Sequence, residues 1–341
     1  MPLTLEPALS PRESPDPRER RVRPGALRDR GKRLRIGLVN NMPDAALEAT
    51  ERQFSGLLAE ASDDLDVELS LWSLASLERK FETRRAMAGA YRPARDLRGA
   101  ERDALIVTGA EPRAPDLRDE AYWRELGALF DWSRARTIST LYSCLAAHAA
   151  VLWVDGIARR RLPVKCSGVF AADVVAAHEL TEGFRPGRLT PHSRLNGLDE
   201  ADLATKGYVT LTRSEIAGVD IFIREGASLQ VFLQGHPEYD AETLAREYRR
   251  DVLRFLRGER PEAPPLPRDY FPEALAARLG EFIARASPGN DSAALYPPDA
   301  LAIADAPWRA SGALLFRNWL SVIARRKAAR NAPSSAVRWG G

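Results

Sequence analysis

The sequence predicts an α/β fold, an open and mostly parallel sheet with helices packed on both faces. Three observations predict it. The short apolar runs Arg35–Asn40 (RIGLVN), Ala104–Thr108 (ALIVT) and Thr137–Ser143 (TISTLYS) have the length and composition of buried strands. Segments with helical spacing lie between them. At 341 residues, 45% hydrophobic and 28% charged, the chain can bury a sizeable core, which excludes wholesale disorder.

Taken in order, the first 33 residues hold six prolines and almost no apolar periodicity, so they read as a disordered basic arm. Order begins at Leu34 with the first strand. Ala45–Glu60 has helical spacing, with Pro43 before it and Asp44 placed as N-cap. Asp66–Leu74 alternates like a strand. Ala104–Thr108 is a buried strand ending at Gly109, and Asp119–Arg134 reads as a helix. Thr137–Ser143 is a strand followed directly by the apolar helix Leu145–Trp153. The second half is richer in strands, at Val164–Phe170, Tyr208–Arg213, Val219–Arg224 and Leu229–Leu233. Helices follow at Ala241–Arg257, with Asp240 as N-cap, at Glu273–Ala286 and at Ala310–Ala329. No linker interrupts residues 34–323, so they read as one α/β domain, with 324–341 as a basic tail.

Charge and cysteine usage narrow the function classes. The formal net charge is +3, which by itself suggests a polyanionic partner. The arm holds nine Lys/Arg against five acids, and residues 324–341 hold five Lys/Arg and no acid, leaving −6 on residues 34–323. No aromatics are interleaved with the arginines of the arm, so no nucleic-acid partner is expected. The longest apolar run, Leu145 to Val154, is too short to span a bilayer and contains His148, so no membrane partner is expected either. No apolar stretch follows the N-terminal charges, so the expected location is cytoplasmic, with Cys144 and Cys166 as reduced thiols. Two cysteines and four scattered histidines lack zinc spacing, so no metal site is expected. Neither GxGxxG nor a Walker loop occurs.

Two constellations can carry chemistry. Cys144 stands where a strand ends and a helix begins. The partial positive charge of a helix N-terminus favours thiolate there, and the following N–H groups can receive an oxyanion. This is the placement of a nucleophile elbow, although a free cysteine at such a point can equally be a small packed residue. The second is Gln234-Gly235-His236-Pro237-Glu238-Tyr239, between a strand and a helix. Residues i and i+2 of extended chain share a face, so His236 and Glu238 can turn toward one point at the carboxyl edge of the sheet. They suit a general base and its carboxylate orienter; the alternative for His236 is a loop cap. Of the other histidines, His148 reads as packed, His178 as exposed, and His192 as a loop residue that could join a site. Cys166 reads as packing.

These segments resemble the homoserine O-acyltransferases (homoserine O-succinyltransferase/O-acetyltransferase), which have a flavodoxin-like, class I glutamine amidotransferase-like fold. The resemblance rests on ordered matches over most of 34–323. They include Ile36–Pro43 (IGLVNNMP), Ile106–Ala110 (IVTGA), Tyr122-Trp123, Asp131–Ser133 (DWS), Ser139–Leu141 leading to Cys144, and Leu162–Lys165 (LPVK). Gly168–Phe170 (GVF), Pro191–Arg194 (PHSR), Gly235–Asp240 (GHPEYD), Glu247-Tyr248, Arg250-Asp251 and Asn318–Leu320 (NWL) follow.

The resemblance implies that Cys144 accepts an acyl group from acyl-CoA and passes it to the hydroxyl of L-homoserine, in methionine biosynthesis. His236 would act as base and Glu238 as its orienter. Ser193 and Arg250 would hold the amino acid, Lys165 would sit beside the reacting centre, and the N–H groups of Leu145 and Asn41 would meet the oxyanion. Acyl-CoA is a co-substrate, so no cofactor is implied, and a homodimer is. The family position that separates acyl donors falls at Arg113, where a cation would pair a succinyl carboxylate and favour succinyl over acetyl. A related acyltransferase with another hydroxy amino acid acceptor, and a glutamine amidotransferase-like hydrolase, are the alternatives. Ala146 stands where the family has Gly, which implies a slightly altered elbow.

Overall fold

The computed structural model describes residues 3–5, 33–287 and 296–332. The first half runs β1 (Leu3–Leu5), β2 (Arg33–Val39), α1 (Asp44–Ala61), β3 (Asp66–Ser73), α2 (Phe81–Met87), β4 (Tyr91–Pro93), β5 (Ala104–Val107), α3 (Trp123–Arg136), β6 (Ser139–Ser143) and α4 (Leu145–Asp155). The second half runs β7 (Arg160–Val174), β8 (Arg188–Gly197), α5 (Glu200–Thr205), β9 (Val209–Ser214), β10 (Gly218–Arg224), β11 (Leu229–Leu233), α6 (Thr243–Leu256), α7 (Glu273–Arg285) and α8 (Arg309–Asn331).

The strands form one sheet in the order β1-β3-β2-β5-β6-β11-β10-β9-β7-β8, with β4 also paired to β3. From β1 to β11 every pairing is parallel, and from β11 outward every pairing is antiparallel. The expected open, mostly parallel sheet is therefore present, extended by an antiparallel wing. The central strands read as continuous apolar runs because both of their faces are buried. On one face Ile36, Leu38, Leu141 and Val231 pack with Phe54 and Leu57 of α1 and Phe316 and Trp319 of α8. On the other, Leu105, Val107, Tyr142 and Phe232 pack with Leu126 and Phe130 of α3 and Ala147 and Val151 of α4. Helices α6 and α7 share a separate cluster around Tyr248, Val252 and Leu279.

Five expectations change. Within the arm, Leu3–Leu5 pair with β3, while 6–32 lie outside the described residues. The tail boundary at 323 falls inside α8, which continues to Asn331 because its basic half finds partners on the sheet edge. Lys327 Nζ donates to Asp103 Oδ2 and to the Arg33 carbonyl, both at 2.7 Å. Those added cations bring the −6 of residues 34–323 to −2 for 34–331. Asp44 is the first residue of α1, not its cap, since its carboxylate accepts from Lys80 N at 2.9 Å and pairs with Arg79. Glu242, not Asp240, precedes α6. The fifth change is β8, read as loop around His192. Pro191 cannot donate to a ladder and breaks the strand signal, yet it is tolerated here because β8 is the sheet's outer strand.

His148 is packed as expected. It is 2% exposed and donates Nε2–H to Gln234 Oε1 at 2.9 Å, Gln234 being oriented by its own donation to the Val219 carbonyl. Burial pushes the imidazole down to about 3. A folded-state value below the unfolded one means that stability is lost as pH falls below the ordinary histidine range. In His148→Gln the slope of unfolding free energy against pH near pH 5 is expected to shrink by about 1.4 kcal/mol per pH unit, one proton's worth. Denaturant titrations across that interval check it, and an unchanged slope contradicts it.

Candidate active site

Cys144 occupies the single residue between β6 and α4, with φ 49° and ψ −107°. A side chain in that left-handed region is strained, of order 1–3 kcal/mol, and survives only where the surroundings over-determine it. They do so here. Cys144 N donates to the Leu233 carbonyl at 2.7 Å, which ties the turn to β11. On the other side, the loop after β5 presses against it: a Cβ on Gly109 would lie 2.4 Å from Leu145 Cβ and 3.3 Å from Ala146 N. Glycine is therefore needed at 109. It is not needed at 146, because Ala146 is not among the positive-φ residues and is wholly buried in the first turn of α4. Leu145 is the first helical residue, so its N–H has no intrahelical acceptor.

The turn after β11 brings His236 to this elbow. His236 N donates to the Pro191 carbonyl at 2.8 Å, and Nδ1 bonds Glu238 Oε1 at 2.8 Å. Ser143 Oγ approaches the same carboxylate oxygen at 3.5 Å. Burial opposes charge on His236, but the charges of Cys144 and Glu238, with hydrogen bonds to both, hold the imidazole well above its ordinary value. The three side chains singled out from the sequence thus form one array, in the order Cys144, His236, Glu238. Tyr239 stacks on the His236 ring, with centroids 4.2 Å apart and planes at 19°. Its hydroxyl donates to Glu247 at 3.0 Å, and its carbonyl accepts from Trp308 Nε1 at 2.8 Å.

Glu247 leads to the cations. Arg250 lies on α6 one turn beyond it and donates Nε–H to Asp251 Oδ1 at 3.0 Å. Lys165, from β7, donates Nζ–H to Asp251 Oδ2 at 2.8 Å. Burial pushes the Asp251 carboxyl up, but Lys165 and Arg250 outweigh it and hold it below the usual range. Arg260 stands 3.9 Å from the same carboxylate, so three cations share Asp251 while Glu247 also faces Arg250, leaving a local positive excess. Asp251 was not singled out as a site residue in the sequence; the adjacent Arg250-Asp251 pair was its only signal. Ser193 lies on β8 opposite Ser167 of β7, in the ribbon that carries Lys165. Cys166 is half-exposed and not a core residue. Burial pushes its thiol up, Arg194 opposes this, and charge on Cys144 adds to it.

Two candidates fall elsewhere. Asn41 N donates to Thr108 Oγ1 at 2.8 Å, so this N–H is already engaged. Asn41 is a buried strut instead: its amide donates to the Thr108 carbonyl and accepts from Leu74 N, joining the ends of β2, β3 and β5. Arg113 lies on the loop after β5 with its side chain 74% exposed, paired to Glu78 at 2.6 Å. The structure does not bring its side chain into the Lys165–Arg250 cluster.

His192 lies in β8, wholly buried, and supports the histidine turn from behind. Its Nε2 is 3.5 Å from Asp220 Oδ1, Asp220 pairs with Arg188, and Thr212 Oγ1 donates to Asp220 at 3.0 Å. Burial pushes the Asp220 carboxyl up, but Arg188, His192 and Thr212 hold it far below the usual range. Gly235, beside His236, lies against this plate, where a Cβ would sit 2.7 Å from Asp220 Oδ1 and 3.0 Å from His192 Nε2. Neither Arg188 nor Asp220 was singled out in the sequence, because their pairing spans 32 residues. Among the described residues no group of three or more His, Cys, Asp or Glu is placed to hold a metal, and no helix is long and apolar enough to cross a membrane.

The charge of Cys144 helps hold His236 up, so removing the sulfur must let it fall. In Cys144→Ala, the His236 midpoint in an NMR imidazole titration is expected to drop relative to the intact protein. An unmoved midpoint contradicts the coupling.

Comparison with known proteins bears on the same residues. A family model described as homoserine O-succinyltransferase matches residues 22–329. A homoserine O-succinyltransferase of Rhodopseudomonas palustris is 50% identical over 294 residues, covering 85% of this chain and 88% of the relative. Those of Methylorubrum extorquens and Bradyrhizobium japonicum are 48% and 47% identical, covering 87% and 85% of this chain and 89% and 90% of the relatives. Among solved structures, a glutamine amidotransferase from Methylobacillus flagellatus aligns with TM-score 0.47 at 14% identity, covering 85% of this chain and 95% of its own. One from Thermotoga maritima aligns with TM-score 0.46 at 13% identity, covering 85% and 98%. By the extent of the family match and by near-half identity along most of its length, the chain belongs to the homoserine O-succinyltransferase family.

Proposed function

We propose that this protein transfers a succinyl group from succinyl-CoA to the hydroxyl of L-homoserine through a thioester on Cys144. The observation that carries the reading is His236 held between Cys144 and Glu238 at the elbow, in a chain of this family. In this step Cys144 Sγ reacts as a thiolate beside the imidazolium of His236. Cys144 Sγ attacks the thioester carbonyl, the carbon–sulfur bond to coenzyme A breaks, and His236 gives its proton to the departing thiolate. One thioester replaces another, so little energy is lost in this half.

Acylation removes the negative charge that helped raise His236, so the imidazole left behind is neutral and suited to act as base. It takes the proton of the homoserine hydroxyl as that oxygen attacks the acyl carbon. The bond to Cys144 breaks, and the sulfur and imidazolium return to their starting charges. Leu145 N–H meets the oxyanion, and the Gly109 loop, packed on the elbow, replaces Asn41 as the source of a second donor. The positive excess at Lys165 and Arg250 receives the amino-acid carboxylate, with Ser193 beside it.

The donor is read at Arg113. Its pairing with Glu78 is solvent-exposed and easily exchanged, so a succinyl carboxylate can take the place of Glu78. Full-length protein with succinyl-CoA and L-homoserine is expected to release free CoA and form the ester, and Cys144→Ala to release none. CoA release with neither succinyl- nor acetyl-CoA, or glutamine hydrolysis independent of CoA, contradicts the reading. Arg113→Glu is expected to raise the acetyl-to-succinyl ratio of kcat/KM by about tenfold or more, as a carboxylate repels the succinate end. An unchanged ratio removes Arg113 from donor selection.

A further inference from the structure

The amino edge of the sheet, opposite the elbow, carries a cavity of about 710 Å³. Arg35, Asp103 and Ile138 line it where β2, β5 and β6 begin, and Trp132 and Arg136 of α3 with Lys327 and Arg330 of α8 complete its wall. A smaller cavity of about 60 Å³ shares Arg98 and Trp132 with it. The larger volume falls within the range of about 300–1,000 Å³ typical of small-molecule sites.

Six cationic side chains line the cavity against two carboxylates, Glu101 and Asp103, in a body that is otherwise slightly acidic. Several are already engaged. Arg35 pairs with Glu101 at 2.8 Å, Lys327 with Asp103 at 2.7 Å, and Arg330 donates to the Ala227 and Thr137 carbonyls. Arg98 and Arg136 have no carboxylate within ion-pair distance among the described residues. Like charges gathered on a concave wall repel one another and focus a positive field, which an anion relieves. Arginine forks match phosphate oxygens in pairs. Trp132, partly buried against the core under α3 and α4, lines the same cavity as these two arginines. Phosphate-binding forks next to an indole face suit a phosphorylated nucleoside, whose base can stack while its phosphates pair.

We propose that this cavity binds a phosphorylated nucleoside, with its phosphates on Arg98 and Arg136 and its base against Trp132. The site is separate from the chemistry: the five residues of β6 set Ile138 and Cys144 apart by about 17 Å or more at strand rise. The same chemical group occurs in free ATP and in the phosphorylated adenosine end of coenzyme A.

Calorimetric titration of the full-length protein with ATP, coenzyme A and inorganic pyrophosphate tests the proposal. Saturable ATP binding is expected, at least tenfold tighter than pyrophosphate. The double variant Arg98→Ser/Arg136→Ser is expected to weaken it at least tenfold while melting within about 2 °C of the parent. Cys144→Ala should bind as the parent does. Loss of ATP binding alone in the double variant marks a free nucleotide as the ligand; loss of a second coenzyme A site, beyond the one at Cys144, marks the coenzyme as the source. Absence of saturable binding by either, binding indifferent to the double variant, or pyrophosphate binding as tightly as ATP overturns the proposal.

Discussion

The site depends on one strained residue. Cys144 is a non-glycine residue at φ 49°, and three neighbours keep it there: the bond from its N–H to Leu233, the press of Gly109 against Leu145, and α4, which starts at the next residue. The strain lifts the sulfur out of the sheet while the first N–H groups of α4 point to the same place. The parallel core makes this possible. Strand β6 lies between β5 and β11, so the loop after β5 and the histidine turn after β11 flank the elbow from either side. Slippage of either neighbouring register would carry Gly109 or His236 away from the sulfur.

The electrostatics then follow in layers. Cys144 and Glu238 hold His236 toward its charged form, against burial that disfavours charge. Behind it, the Arg188–Asp220–His192 plate is fully buried and internally neutralised, so it supports the turn without competing for the reacting charges. In front, Lys165, Arg250 and Arg260 are only partly neutralised by Asp251 and Glu247. The protein thus sets a compensated ionic cluster behind the histidine turn and an incompletely compensated one in front of it.

The legible parts were those governed by local pattern. Strands β2, β5, β6 and β11 appear as apolar runs because both their faces are covered. Cys144 was visible from the change of period at residue 144, and His236 with Glu238 from their i, i+2 spacing beside a strand end. The less legible parts depend on distant partners. β8 was hidden by Pro191 and by arginines whose partners lie far along the chain, Arg188 on Asp220 and Arg194 on the Ala217 carbonyl. The basic end of α8 resembles a tail until Lys327 is seen to close on Asp103, 224 positions away. Gly109 matters only because Leu145 packs on it, and the N–H of Asn41 is removed from the oxyanion role only by the Thr108 hydroxyl. Ala146 shows the reverse: a departure from family pattern that looked consequential is absorbed because the close approach is made at Gly109.

The central claim is that the strained sulfur of Cys144 carries the acyl group between donor and acceptor. Intact-mass and peptide spectrometry after mixing the protein with succinyl-CoA, homoserine being withheld, tests it most directly. The account predicts one added succinyl group, located on Cys144, absent from Cys144→Ala and discharged when L-homoserine is supplied. An unmodified Cys144 under conditions in which the ester is still formed, or a succinyl group on another residue that discharges to homoserine, would contradict it.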